Sequence, residues 1–191
     1  MFLILSLEAE VIKEEQTEEI ELLERTFIGY RYNTRTQEYI ASNGQDMEYS
    51  VLSTHLILGT YLNNSNRTYI VIDSKNGMGL HHDLFIINKS SGEYMKHKHG
   101  LYVGFSFTHL SYDQEYSGTP NTGENAYMDI HDRAWNYGIK FGYTYKIRDE
   151  VEFDIGFNRT KTTGFDYYQN VDYDDFYVGI NYFFNSWTHK K

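Results

Sequence analysis

Few residues in this chain could do chemistry, and they sit in four places. The stretch THLSYDQE holds His109, Ser111 and Glu115. A serine becomes a nucleophile when an imidazole takes its proton and a carboxylate orients the ring. LHHD and KHKH bring four imidazoles, His81, His82, His97 and His99, and imidazole is a common metal ligand. Glu152 and Asp154 are carboxylates two residues apart. Each group also has a plainer reading. His109 shares the parity of Phe107, so on a strand it points the same way as an apolar ring, away from any internal site. Adjacent His81 and His82 would point to opposite faces of a strand, and roughly 20 Å of strand parts them from His97 and His99. GMG, Gly77 to Gly79, is too short for a phosphate loop and reads as a turn. Glu152 and Asp154 face Lys146 and Thr144 across a hairpin. No catalytic residue, metal site or cofactor is therefore expected.

The elements that carry these residues are strands, most clearly in WNYGIKFGYTYKIRDEVEFDIGFN, residues 135 to 158. Apolar residues take the odd positions from Trp135 to Ile147, and small or charged residues take the even ones. After Arg148-Asp149-Glu150 the odd set resumes as Val151, Phe153, Ile155 and Phe157. A period of two is a strand with one apolar face. A three-residue loop pairs Ile147 with Val151, Tyr145 with Phe153 and Phe141 with Phe157. It also sets Lys146 against Glu152.

Composition agrees with strands. Tyr (19) and Phe (12) are abundant and proline occurs once, which favours β structure. The chain has no cysteine, so it builds no disulfide framework. A net charge of −10 argues against nucleic acid. Mean hydropathy is −0.60, but alternation hides a lipid face from any average. Residues 1–9, with the apolar run Phe2 to Leu7, read as the remnant of an export signal. Residues 10–25 read as an acidic periplasmic linker or short helix.

Eight strands fit within residues 26–185, with 186–191 as a tail. They begin at TFIGYRYN, SVLSTHLILGTYL, RTYIVID, LHHDLFIIN and GLYVGFSFTHLSY, continue through the two arms above, and end at DFYVGINYFF. Long loops follow strands 1, 5 and 7, and short turns follow strands 2 and 6. That is the habit of an eight-stranded antiparallel up-and-down transmembrane β-barrel. The facing of residues 67–88 stays open. On the strand of residues 135–147, Trp135-Tyr137 and Tyr143-Tyr145 bracket Ile139 and Phe141, as two interfacial girdles bracket a hydrocarbon band. Tyr137 to Tyr145, tilted by roughly 40°, spans about 20 Å. The lipid-facing set is then Ile139, Phe141, Tyr143, Tyr145, Phe153, Ile155, Phe157, Val178 and Ile180. The lumen-lining set is Gly138, Lys140, Gly142, Lys146, Glu152 and Asp154.

The exported start, the loop pattern and the closing FYVGINYFF resemble the small porin-like outer-membrane β-barrel family of the OmpA, OmpX and opacity type. That resemblance implies an integral outer-membrane protein of a Gram-negative bacterium. Its role would be structural, adhesive or weakly porin-like. It implies a monomer in outer-membrane lipid, with an extracellular ligand held by the loops, chiefly residues 113–132 and 161–174. It implies that the barrel-assembly machinery reads Tyr182 and Phe184, although NSWTHKK follows them here. The His-x-Ser of THLSYDQE resembles that of the outer-membrane lipid A deacylases, and this implies a minor alternative, a lipid A-modifying hydrolase; that motif continues with Asn where this chain has Tyr112. The main alternative is a soluble periplasmic eight-stranded barrel around a small apolar ligand, which would need the aromatic set to point inward.

Overall fold

The computed structural model describes residues 26–40, 46–63, 65–74, 77–88, 99–118, 126–148, 150–163 and 169–184. They form eight strands: β1 (Thr26–Ile40), β2 (Asp46–Asn63), β3 (Asn66–Asp73), β4 (Gly77–Asn88), β5 (His99–Gly118), β6 (Ala126–Arg148), β7 (Val151–Thr163) and β8 (Gln169–Phe183). Each pairs antiparallel with its neighbour in sequence, and β1 pairs with β8, so the sheet closes as an up-and-down barrel. Closure leaves no edge strand along the wall.

The stagger of the barrel follows from its ladders. A path along the pairings from Phe27 passes Gly59, Tyr69, His81, Ser106, Gly138, Thr160 and Tyr173. It re-enters β1 at Gln37, ten residues beyond its start. Ten rises of ~3.3 Å over eight strand spacings of ~4.8 Å tilt the strands by about 40°. A barrel of this size has room inside for side chains only.

Alternation sorts the side chains. On β3, Arg67, Tyr69, Val71 and Asp73 are buried while Ile70 and Ile72 are exposed. This settles a facing that the sequence leaves open. The β6–β7 ladder pairs Tyr145 with Phe153, Phe141 with Phe157 and Lys146 with Glu152. The turn itself differs from the three-residue reading. Arg148, not Ile147, pairs with Val151, across a register shift between Lys146 and Arg148. The extra residue of this bulge lets a tighter turn join the strands without reversing either face. Between β3 and β4 the turn precedes Gly77, whose φ of 112° suits glycine. Gly79 lies within β4 rather than in the turn.

The long connection after β5 is mostly ladder. β5 and β6 stay paired to Gly118 and Ala126, whereas β4 reaches β5 only at Leu110 and β7 reaches β6 only at Trp135. Residues 111–118 and 126–134 thus form a two-stranded ribbon above the wall. Of the segment 161–174, residues 161–163 and 169–174 lie in β7 and β8. Residues 1–25, residues 186–191 and His97 fall outside the described residues.

Candidate functional site

The inward face of the barrel is charged at its middle. Arg67, from β3, donates to three carboxylates: Nε to Asp83 Oδ2 at 2.7 Å, Nη1 to Glu152 Oε1 at 3.0 Å and Nη2 to Asp154 Oδ2 at 2.7 Å. Arg31 donates to the same Asp154 oxygen at 2.7 Å, and Lys140 Nζ lies 2.5 Å from Asp83 Oδ1. Tyr102 donates to Asp154 at 2.7 Å, and Tyr61 and Asn181 donate to Glu152 at 2.9 and 3.0 Å. Three cations meet three carboxylates, and all six residues are buried, Arg67 and Asp154 completely. Buried charge is tolerable only when paired and hydrogen-bonded in this way. Aromatic faces complete the cage: Arg67 lies 4.6 Å over Tyr102 and Arg31 lies 4.5 Å over Tyr177. Gly142 and Gly156 pair directly, and a Cβ on either would strike the ring of Tyr102 or Tyr177. The glycine pair makes the space in which those two phenols meet, 2.6 Å apart.

A second network sits nearer the loops. Arg35 grips Asp175 through two nitrogens at 2.5 and 3.1 Å and reaches Asp73 at 3.0 Å. His55 also contacts Asp73 at 3.0 Å. Beside it is a cavity of about 20 Å³, lined in part by His81, Asn136 and Thr160. Each of the three has a buried polar atom without a hydrogen-bond partner, and such a cavity has room for one water.

At the turn end the interior is apolar. Phe27, Tyr61, Phe85, Tyr102 and Phe183 pack as one cluster, with Phe27 to Phe183 at 5.5 Å and Tyr61 stacked on Phe85 at 5.5 Å. The buried Lys146 ammonium stands 5.6 Å over the Phe183 ring at this end, and packed rings need no polar partners.

The expected residues fall as follows. Lys140, Gly142, Lys146, Glu152 and Asp154 are buried inside, and Gly138 is half-buried. On the outer face Phe141 is 59 % exposed and Ile139 65 %. Tyr145, Val178, Ile180 and Tyr182 are exposed too, while Tyr143, Phe153, Ile155, Phe157 and Phe184 are half-exposed. Tyr182 and Phe184 meet edge to face at 6.4 Å. Glu152 faces Lys146 in register, but its carboxylate goes to Arg67. Sequence reasoning missed Arg31, Arg67 and Asp83. For Arg67 and Asp83 the signal was a charge two residues from inward Tyr69 and Phe85, hidden because the facing of β3 and β4 was unread.

The candidate chemistry disperses. His81 is buried against Tyr69, ring to ring at 5.3 Å. His82 points outward and bonds to Thr68 Oγ1 at 2.7 Å. His99 begins β5 and packs on Tyr145 at 5.1 Å. His109 meets Trp135 edge-on at 4.9 Å on the outer face. Ser111 and Glu115 lie on the ribbon backbone. Among the described residues no group of histidines and carboxylates is placed to hold a metal ion.

No family model matches the chain, and no curated protein matches it. Solved structures do. Neisserial surface protein A is similar with a TM-score of 0.60 at 12 % identity, over 82 % of this chain and 96 % of that one. The N-terminal β-barrel domain of Pseudomonas aeruginosa OprF gives 0.45 at 10 % identity, over 81 % and 97 %. Yersinia pestis Ail, in complex with the heparin analogue sucrose octasulfate, gives 0.43 at 12 % identity, over 83 % and 97 %. At these identities the likeness to the Neisserial protein is one of fold.

Proposed function

We propose that the chain is an integral outer-membrane β-barrel of a Gram-negative bacterium, a monomer whose role is structural or adhesive and whose interactions are made by the segments beyond the loop-side rim. One observation carries this reading: the molecule is inside-out for water. Its most strongly charged cluster is sealed in the lumen while a belt of large apolar side chains stands exposed outside, Leu58, Ile70, Leu80, Phe105, Ile139, Phe141 and Ile180 among them. That arrangement is at home where the surroundings are hydrocarbon. The soluble alternative needs Phe141 and Phe153 to point inward around a ligand, and both point outward.

The girdles give the thickness. Near the turn end, Tyr143 and Tyr145 pack with His99. Near the loop end, Trp135 stacks on Phe107 at 4.8 Å, with Tyr137 one level below it on β6. Rings with a polar edge belong where hydrocarbon meets water. In this reading residues 1–9 are the remnant of an export signal and residues 10–25 an acidic periplasmic linker or short helix. Tyr182 and Phe184 are read by the assembly machinery. The ribbon of residues 111–118 and 126–134 supplies the outer contacts, since exposed ribbon backbone is a surface that a partner strand can join.

The test is folding of the full chain into lipid vesicles. A folded barrel should show a heat-modifiable gel shift. With Trp187→Phe, leaving Trp135 as the reporter, bromines near the headgroup should quench more than bromines at mid-chain. A chain that folds to a monodisperse state in water without lipid or detergent overturns the reading.

A further inference from the structure

The loop-side rim is cut low at β3 and β4, where Asp73 ends one strand and Gly77 begins the next. On one side β2 continues past His55, its last partner on β3, as far as Asp46. On the other side β5 continues past Leu110, its last partner on β4, as far as Gly118. Both extensions stay paired on their far sides, β2 with β1 and β5 with β6. A notch is left between them, with residues 46–53 and 111–118 as its walls. β2 and β5 are three strand spacings apart, about 14 Å, so the notch is two strands wide.

The walls offer backbone. In an antiparallel ladder a residue turns its N–H and C=O together toward one neighbouring strand, and successive residues turn to opposite sides. Thr54 makes the last β2 rung toward β3: its C=O accepts from Ser74 N at 2.9 Å and its N–H donates to Ser74 Oγ at 3.2 Å. Glu48 and Ser50 share its parity and turn the same groups into the notch. On the opposite wall the parity follows from the ladders. Phe85 N donates to Ser65 O at 2.8 Å, so the odd residues of β4 bond to β3 and the even ones to β5. Met78 therefore bonds toward its partner His109, and Asp113, Glu115 and Ser117, of His109's parity, turn toward the notch. Among the described residues none of these five has a ladder partner on that side.

The walls read DMEYSVLS and SYDQEYSG, with four carboxylates and no lysine or arginine. An open edge is a template for another strand. This one also selects by charge, since opposite charges across a strand pair stabilise it and like charges oppose it. The chain's own residues 10–25, rich in glutamate, have the wrong sign. One added strand leaves the other wall open, whereas two strands joined by a turn pair with both walls and with each other. β2 and β5 run in opposite directions, so a hairpin inserted turn first lies antiparallel to both.

We propose that the notch receives a basic β-hairpin of a partner protein outside the cell, which fills the two strand positions above β3 and β4. The proposal deepens the reading above, in which contacts are made beyond the loop-side rim, and rests on it.

The experiment uses the full chain folded in phosphatidylcholine nanodiscs, which leave the rim accessible, and a fluorescent lysine-rich synthetic hairpin with an Asn-Gly turn. Binding should be saturable, and about tenfold weaker with glutamate in place of the lysines, the scale of a few exposed cross-strand charge pairs. A single lysine-rich strand should bind more weakly than the hairpin. Proline lacks the N–H, and on an open edge its loss breaks no existing rung. Ser50→Pro with Ser117→Pro, which leaves the charge unchanged, should weaken binding about tenfold while the heat-modifiable band is kept. Methylating the hairpin's outer backbone nitrogens makes the same test on the probe, should that variant not fold. A folded chain that does not bind the hairpin, binding that survives backbone methylation, or a single strand held as tightly overturns the proposal and leaves the transmembrane reading intact. Self-association that excludes the hairpin overturns it in favour of a second copy. A chain that does not fold in lipid removes both readings.

Discussion

Arg67 holds three carboxylates at once, so removing it should cost more than removing any other single side chain of the lumen. Arg67→Leu leaves Asp83, Glu152 and Asp154 buried with fewer cations among them. Breaking one side of a buried ion cluster costs about 3–5 kcal/mol, to be read as a lower urea midpoint for unfolding from vesicles. Arg67→Lys should fall between, since an ammonium keeps the charge but not the fork that reaches three partners. Outside, depth sets the cost. Phe141→Arg places a charge near mid-bilayer and should cost roughly 2–4 kcal/mol, while Tyr145→Arg, near the girdle, should cost about 0–1 kcal/mol. Gly142→Arg should fail for another reason, by collision with the Tyr102 ring. Equal damage from Phe141→Arg and Tyr145→Arg in the vesicle-folding assay would mean that no lipid belt exists.

At the scale of elements, β7 is held by parity and the ribbon is not. Deleting Phe153 alone would send either Glu152 or the run beyond it to the opposite face, so the barrel should not form and the heat-shifted band should vanish. The ribbon is different. Beyond Leu110 and Trp135 its strands pair only with each other among the described residues, so it adds little to the wall. Replacing residues 113–131 by a short Asn-Gly turn should keep the gel shift and leave the urea midpoint within about 0.5 kcal/mol, the range of changes away from packed sites. Any adhesive activity should go with the ribbon. A large fall in barrel stability would show that the ribbon is structural.

At the scale of the molecule the lumen is a plug. Arg31, Arg67 and Lys140 balance Asp83, Glu152 and Asp154, and the ring cluster closes the turn end. Planar-bilayer recordings should show no large, stable conductance, because an eight-stranded interior filled in this way leaves no water path. The same burial shields the ion pairs from salt. Raising ionic strength should therefore shift the unfolding midpoint little, whereas a marked fall would place the network in contact with solvent.

The sequence by itself determined the strands and, where one face is polar, their facing. Over residues 135–158, β6 and β7 alternate apolar with small or charged residues, so inward and outward sets could be listed there in advance. β3 and β4 could not be read that way. Tyr69 and Val71 point in, Ile70 and Ile72 point out, and a strand apolar on both faces carries no contrast. The ribbon was read as a loop because SYDQEYSG and AYMDIHDRA are rich in polar residues and hold no sustained period of two, yet antiparallel pairing needs only backbone. Tertiary structure alone decided which charges meet. Arg67 neighbours Asp83 on β4, but it reaches Glu152 and Asp154 on β7 across the lumen. Local spacing says nothing about partners 85 and 87 residues away. Only closure of the barrel, with its ten-residue stagger, brings Glu152 and Asp154 to the guanidinium that already neighbours Asp83.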